Sequence, residues 1–118
     1  MSIFDVRREI EKNQEEIQIL NKLITAFWEL NEQSADKIKR YEQTIDGAYK
    51  DQRYGLVLDC RDAINKETAK ISQNNRLFKE RERQKECLIK RTEELKSDLK
   101  KAWNKEMKAR RQSHTYKH

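Results

Sequence analysis

The sequence predicts an all-α protein: a long antiparallel two-helix hairpin that forms a coiled coil and supplies half of a four-helix bundle. Charged residues make up 41% of the 118 residues and hydrophobic residues 35%, which is typical of long helices that bury a narrow stripe. The chain has no proline, and its two glycines, Gly47 and Gly55, lie near its middle. A heptad pattern in both halves disfavours disorder, the alternative for so polar a chain.

The first helix is predicted from about residue 3 to 49, with Ser2 as its N-cap and Asp5 facing the positive end of the helix dipole. Two series of residues, spaced by seven and offset by three or four, define its apolar stripe. The first series is Ile3, Ile10, Ile17, Ile24, Asn31, Ile38 and Ile45. The second series is Val6, Asn13, Leu20, Phe27, Ser34, Tyr41 and Ala48.

The second half repeats this pattern after a predicted turn at about residues 50–55. Helix two is expected at about 56–110, followed by a basic tail at 111–118, all within a single domain of residues 1–118. The first series of helix two is Val57, Ile64, Ile71, Phe78, Lys85, Thr92 and Leu99. Its second series is Cys60, Glu67, Asn74, Arg81, Leu88, Leu95 and Ala102. We expect Gly55 to relieve the turn, and Gly47 either to end helix one early or to be tolerated in its last turn.

An antiparallel pair of helices places residues opposite each other when their numbers have a constant sum. A sum of 105 sets Asn31 against Asn74 and Phe27 against Phe78, so polar layers meet polar layers. A sum of 98 keeps the heptad phase but sets Asn31 against Glu67, mixing polar with apolar layers elsewhere. The sequence therefore favours the register of 105, with the turn centred near Gln52.

Several large apolar residues lie outside this stripe, and a two-helix hairpin cannot cover all of their side chains. Scattered surface apolar residues are the alternative, but clustering between residues 19 and 30 favours a partner surface. The predicted partner-binding residues are Ile19, Leu23, Trp28, Leu30, Leu77 and Ile89. The partner would be helices of another protein or a second copy of this chain, completing a four-helix bundle.

The positive charge is concentrated toward the carboxyl end of the sequence. Residues 1–50 carry 8 Lys or Arg and 10 Asp or Glu, whereas residues 51–118 carry 19 and 11. The segment LKKAWNKEMKARRQ sets a tryptophan among basic residues, which suits nucleic acid or an acidic protein surface. A solvated helix end is the alternative, since cations favour that terminus. The candidate basic contacts are Lys100, Lys101, Arg110 and Arg111.

Catalytic chemistry finds no support in the sequence, and we expect no enzyme, no metal and no cofactor. Cys60 and Cys87 would lie about 40 Å apart on one straight helix, too far for a disulfide. His114 and His118 have helical metal-ligand spacing but lack companion ligands. No apolar run suits a signal peptide or a membrane span, so we expect a cytoplasmic protein, or one exported by a leaderless route.

A proline-free helical hairpin of this length resembles the small WXG-type proteins of type VII secretion, and more closely the helical partners of LXG toxins. The resemblance implies a targeting chaperone that binds the helical N-terminal domain of a toxin and escorts it to the export machinery. The Trp-x-Gly turn of that family is absent, because Arg53 precedes Tyr54 and Gly55. Phe78 and Glu82 loosely match an aromatic-x-x-x-acid export motif. The competing hypothesis is a basic coiled-coil protein, such as an inhibitor or phage regulator, that binds nucleic acid or an acidic protein.

Overall fold

The chain forms two long α-helices joined by a short turn. The computed structural model describes residues 2–116, with side chains through residue 112. Helix α1 spans Ile3–Lys50 and helix α2 spans Tyr54–Tyr116, and no strand occurs among the described residues. The all-α two-helix hairpin predicted from the heptad pattern is therefore confirmed.

Ser2 caps the amino end of α1. Its side-chain Oγ accepts a hydrogen bond from the backbone N–H of Asp5 at 3.2 Å, and its carbonyl accepts one from Val6 at 3.1 Å. These bonds satisfy donors that have no partner inside the helix. The predicted N-cap is thus present, with Asp5 in the first turn of the helix.

The turn between the helices is a C-capping motif built without glycine. The N–H of Arg53 bonds to the carbonyl of Ala48 at 2.8 Å, and the N–H of Gln52 bonds to Tyr49 at 3.2 Å. This is the pattern of a Schellman motif, in which the residue after the helix takes a left-handed conformation. Gln52 holds that conformation, with φ of 58°.

The predicted role of Gly55 in relieving the turn is wrong. Neither glycine has a positive φ, and both lie within helices, Gly47 in α1 and Gly55 in the first turn of α2. The left-handed residue is Gln52, at the centre that the register of 105 predicts. A Cβ added at either glycine would meet no atom within 4 Å, so neither position needs glycine for space.

Helix α2 begins earlier and ends later than the sequence indicates. The carbonyl of Arg53 accepts the N–H of Val57 at 3.3 Å, so the helical bonding starts directly after the turn. At the other end the helix continues through Tyr116, which makes most of the expected basic tail helical. Residues 117 and 118, including His118, lie outside the described part of the chain, as does the side chain of His114.

The chain divides into two compact units. The first unit combines α1 up to Asn21 with α2 from Arg83 onward, and the second unit is the continuous segment Lys22–Glu82, which contains the turn. Both units pair part of α1 with part of α2. Each unit has its own buried stripe.

The first unit buries a small aliphatic cluster. Val6, Ile10 and Leu95 form it, and the partly buried Leu99 packs against them. Asn13 and Thr92, which the register of 105 sets opposite each other, are both buried as well. The Thr92 hydroxyl donates to a backbone carbonyl of its own helix at 2.7 Å, so its polar group is satisfied.

The second unit buries apolar residues near the turn and at its far end, with a polar layer between them. Ile24, Ala48, Val57 and Cys60 are its buried apolar residues, whereas Ser34 and Glu67 are buried and polar. Nδ2 of Asn74 donates to Oδ1 of Asn31 at 3.1 Å, and Nδ2 of Asn31 donates to Oδ1 of Asn75 at 3.0 Å. The bond between Asn31 and Asn74 confirms the register of 105, because a sum of 98 would set Asn31 against Glu67.

Candidate functional site

The second unit carries an open apolar groove between its two helices, which we call the aromatic groove. Its volume is about 320 Å³, at the small end of the range for ligand pockets. The groove therefore fits side chains better than a large cofactor. The residues that line it are Trp28, Asn31, Glu32, Ala35, Ile71, Asn75 and Phe78.

Two aromatic rings form one end of the aromatic groove. The ring of Trp28 meets the ring of Phe78 edge-to-face, with centroids 6.1 Å apart and planes at 79°. Phe78 is half-buried, but Trp28 keeps 59% of its surface exposed. The contact with Phe78 therefore orients the indole without covering it.

The aromatic groove has almost no charge. Among its lining residues, all of which lie in the described part of the chain, only Glu32 is charged. The rest are aromatic, aliphatic or asparagine, in a chain whose residues are 41% charged. An exposed helix surface of this composition is unusual for a purely solvated face, and it is suited to contact with another uncharged surface.

A second, polar groove lies on the other face of the second unit. Its lining residues are Leu30, Gln33, Ser34, Lys37, Glu67, Lys70, Gln73 and Asn74. Leu30 follows Trp28 by two residues, which is more than half a helical turn, so the two side chains point to different faces. Leu23 precedes Leu30 by seven residues and Leu77 follows Lys70 by seven, so both share this polar face.

Glu67 is the charged centre of the polar groove. Its carboxylate is buried and its Oε1 receives a 3.1 Å bond from Nζ of Lys70, with Nζ of Lys37 at 4.0 Å. The Ser34 hydroxyl beside it, followed by Lys70, lowers the pKa of Glu67 below its usual value of 4.5, against a smaller opposing effect of burial. The carboxylate is thus charged and compensated from both helices.

This environment predicts a specific acid sensitivity. Because the folded state lowers the pKa of Glu67, its charged form contributes stability that is fully present above about pH 4.5 and is lost as pH falls through the folded-state pKa. We expect Glu67→Gln to lower the unfolding free energy near neutral pH, and the difference from wild type to shrink below about pH 4.5. Urea unfolding across pH measures it. The exposed Glu42→Gln is the control, and an equal pH trend in both variants would contradict the prediction.

The first unit contains two of the predicted partner residues, Ile89 and Ile19, and Ile19 lies beside a third groove. Ile19 lines that groove with Glu16, Leu20, Gln84 and Leu88, and it is more than half exposed. Ile89 is half-buried, as is Leu77 in the second unit. The predicted partner residues are therefore divided among several faces, and Trp28 is the one among them that lines the aromatic groove.

The carboxyl part of α2 meets the start of α1 in a fourth groove, which we call the basic groove. Arg7 from α1 lines it with Lys96, Leu99, Lys100 and Trp103 from α2. Trp103 is 49% exposed and Leu99 is half-buried, so an apolar floor lies among three cations. Among the described residues that line this groove, none has a carboxylate.

The four predicted basic contacts divide between this groove and other surroundings. Lys100 lines the basic groove, whereas NH2 of Arg110 pairs with Oε1 of Glu106 at 3.5 Å. Lys101 and Arg111 are exposed. Sequence reasoning missed Arg7 and Lys96. The heptad pattern could have identified them, because Arg7, Lys96 and Trp103 each lie four residues after a member of a first series and therefore flank the apolar stripe.

The structure also bears on the cysteines, on metal binding, on membrane spans and on the candidate export motif. Cys60 and Cys87 are free cysteines, the former buried and the latter exposed. Among the described residues, no three His, Cys, Asp or Glu side chains are grouped to hold a metal. In the same part of the chain, no helix is long and apolar enough to cross a membrane. Glu82 of the candidate export motif is half-buried, and Phe78 packs on Trp28.

Compared with protein-family models, with curated proteins and with solved structures, the chain matches none of them. Functional inference therefore depends on the grooves themselves. The aromatic groove offers apolar contact, and the basic groove offers charge together with an aromatic ring.

Proposed function

We propose that this protein is a non-enzymatic helical adaptor that binds a helix of a partner protein in the aromatic groove. The observation that carries the proposal is the exposed indole of Trp28, oriented by Phe78 at the end of a groove whose lining has one charged residue, Glu32. Tryptophan is the residue type most enriched among those that dominate binding energy at protein interfaces. Covering the exposed part of this ring would remove a large apolar surface from water.

A helix is the partner structure that best fits a groove between two helices. Side chains of a third helix can pack as ridges into such a groove, and further helices complete a bundle around the shared core. The nearly uncharged lining selects against helices with charged contact faces, because their charges would lose water without gaining a partner. The expected occupant is therefore a partner's amphipathic helix that presents apolar and uncharged residues.

The polar face of the same unit offers a second contact. Leu23, Leu30 and Leu77 share this face around the compensated charge of Glu67. A second partner helix would cover these leucines while the first covers Trp28, which gives the four-helix bundle proposed from the sequence.

The resemblance to partners of LXG toxins gives the adaptor a specific candidate partner. In this proposal the partner helices belong to the N-terminal domain of such a toxin, and the protein acts as its targeting chaperone for type VII export. It would work in the cytosol, and it would leave the cell with its partner by a leaderless route. Phe78 and Glu82 would form the export motif, in which case the contact between Phe78 and Trp28 links partner binding to that motif.

The decisive experiment compares Trp28→Ala with Tyr54→Ala in the full chain. The two side chains are similarly exposed, at 59% and 57%, but Tyr54 lies at the turn and packs on Tyr49. We expect Trp28→Ala to weaken binding to an LXG-toxin N-terminal domain by about 30-fold or more, as for interface residues worth about 2 kcal/mol or more. Tyr54→Ala should bind normally, and both variants should keep their helical circular dichroism.

Titration calorimetry with the purified toxin domain measures the affinity, and sedimentation equilibrium measures self-association. Leu23→Glu tests the polar face separately and should also weaken binding. Normal binding by both Trp28→Ala and Leu23→Glu would refute the adaptor surface. Self-association that Trp28→Ala abolishes, without toxin binding, would make a second copy the occupant of the groove and refute the toxin assignment.

A further inference from the structure

The basic groove has features of a ligand site that the adaptor proposal does not use. Its three cations come from both helices: Arg7 from α1, and Lys96 and Lys100 from α2. Between them lie the half-buried Leu99 and the half-exposed ring of Trp103. An apolar floor with a cationic rim fits a ligand that has a planar, weakly polar body and a negatively charged backbone.

The charge of the whole chain is concentrated at this end of the sequence. From Lys96 onward the sequence has eight Lys or Arg and two Asp or Glu, a net charge of +6 that equals the net charge of the entire chain. One of those two carboxylates, Glu106, is paired with Arg110. The region therefore carries a net positive charge, which attracts polyanions and raises their rate of association.

We propose that the basic groove binds single-stranded nucleic acid, with a base stacked on Trp103 and adjacent phosphates held by Arg7, Lys96 and Lys100. Aromatic rings that stack bases beside cations that follow the backbone are the general means of binding single strands without sequence preference. A duplex keeps its bases stacked inside the helix, so it offers the ring no free base. A membrane is a poorer fit, because Leu99 and Trp103 are the two apolar residues that line the groove, fewer than the apolar face with which an amphipathic helix enters a bilayer.

The test measures binding of fluorescently labelled oligothymidylate and oligouridylate of about 12 nucleotides to the full chain by anisotropy. Intrinsic fluorescence locates the bound strand. Trp28 and Trp103 are the two tryptophans of the sequence, so a Trp28→Phe background leaves Trp103 as the reporter. We expect either oligonucleotide to quench the fluorescence of Trp103. Trp103→Ala should weaken binding by about tenfold, whereas Trp103→Phe should lose less affinity because it keeps a ring on which a base can stack.

A charge-matched pair of variants separates the groove from general electrostatics. Lys96→Gln with Lys100→Gln removes two cations of the basic groove, whereas Lys105→Gln with Lys108→Gln removes two exposed cations outside it on the same helix. The groove variant should lower the slope of log affinity against log salt by about 0.7 for each phosphate that the protein no longer neutralises. The control variant should bind more tightly than the groove variant at the same salt.

Several outcomes would overturn the proposal. Equal weakening by the two lysine pairs would mean that binding follows net charge and not the groove. Binding of duplex as tightly as single strands, without quenching of Trp103, would exclude stacking. Absence of oligonucleotide binding at low salt would refute the site, and binding to phosphatidylserine vesicles in its place would assign the groove to a membrane surface. None of these measurements depends on Trp28, so the adaptor proposal stands or fails independently.

Discussion

Replacing Leu95 by alanine is expected to lower the free energy of unfolding by about 2–5 kcal/mol, the cost of large-to-small changes in a packed core. Leu95 is 2% exposed and lies in the small cluster that it forms with Val6 and Ile10. A two-helix hairpin buries only one stripe, so few other side chains can move to fill the space. The loss should therefore lie toward the upper part of that range.

Leu58→Ala is the matched control, because it makes the same chemical change at a leucine that is 64% exposed. It should change the unfolding free energy by no more than about 0.5 kcal/mol. Urea unfolding monitored by far-UV circular dichroism measures both variants. Fluorescence of Trp103 in the Trp28→Phe background reports on the unit that contains Leu95. Similar losses for the two variants would mean that the cluster does not support the first unit.

The heptad pattern predicted the buried stripe of each unit because burial in a two-helix pair follows the 3.5-residue repeat closely. Residues of the two series are buried or half-buried from Ile3 to Leu99, and the first exposed member is Ala102 at the carboxyl end. Matching polar with polar layers predicted the bond between Asn31 and Asn74. The matching of layers was predictable because burying an unpaired polar group costs free energy, and the positions of polar residues in the heptad pattern can be read from the sequence.

The turn shows where sequence reasoning failed. Glycine is the usual left-handed residue after a helix, and Gly55 therefore drew the prediction. The left-handed residue is Gln52, which has no sequence signature for that role. The register left only a short segment to reverse the chain, and the two hydrogen bonds of the capping motif hold Gln52 in this conformation. Global pairing thus overrode local preference, as tertiary context often does.

The grooves were only partly predictable for a related reason. Exposed apolar residues such as Trp28 can be found from the sequence, but what lies beside them depends on the facing helix. Asn75 beside Trp28, and Arg7 beside Trp103, come from residues that are distant in sequence. The predicted partner set combined residues of different faces because it used one helix at a time. Applying the register of 105 to the flanking heptad positions would have separated them.

Substitutions in the polar layer of Asn31 and Asn74 are expected to change both the free energy of unfolding and the register in which the helices pair. Asn31→Ala is expected to lower the unfolding free energy by about 1–2 kcal/mol, because Asn74 loses its acceptor in a half-buried position. Replacing both asparagines with leucine is expected to raise it by about 1–3 kcal/mol, since apolar pairs replace a hydrogen bond of modest net value. Urea unfolding of the single and double variants forms a cycle that isolates the pair.

The stabilised double-leucine variant should also be less specific in its pairing. In the register of 98, residue 74 faces Ile24, so Asn74 penalises that register and leucine would not. Cysteines at positions 27 and 78 report the register of 105, and cysteines at 27 and 71 report that of 98, with Cys60 and Cys87 replaced by alanine. The native asparagines should give crosslinking within one monomer only at 27 and 78. Crosslinking of the double-leucine variant at 27 and 71 as well would show that this asparagine pair sets the register, whereas an unchanged pattern would assign that role to the rest of the stripe.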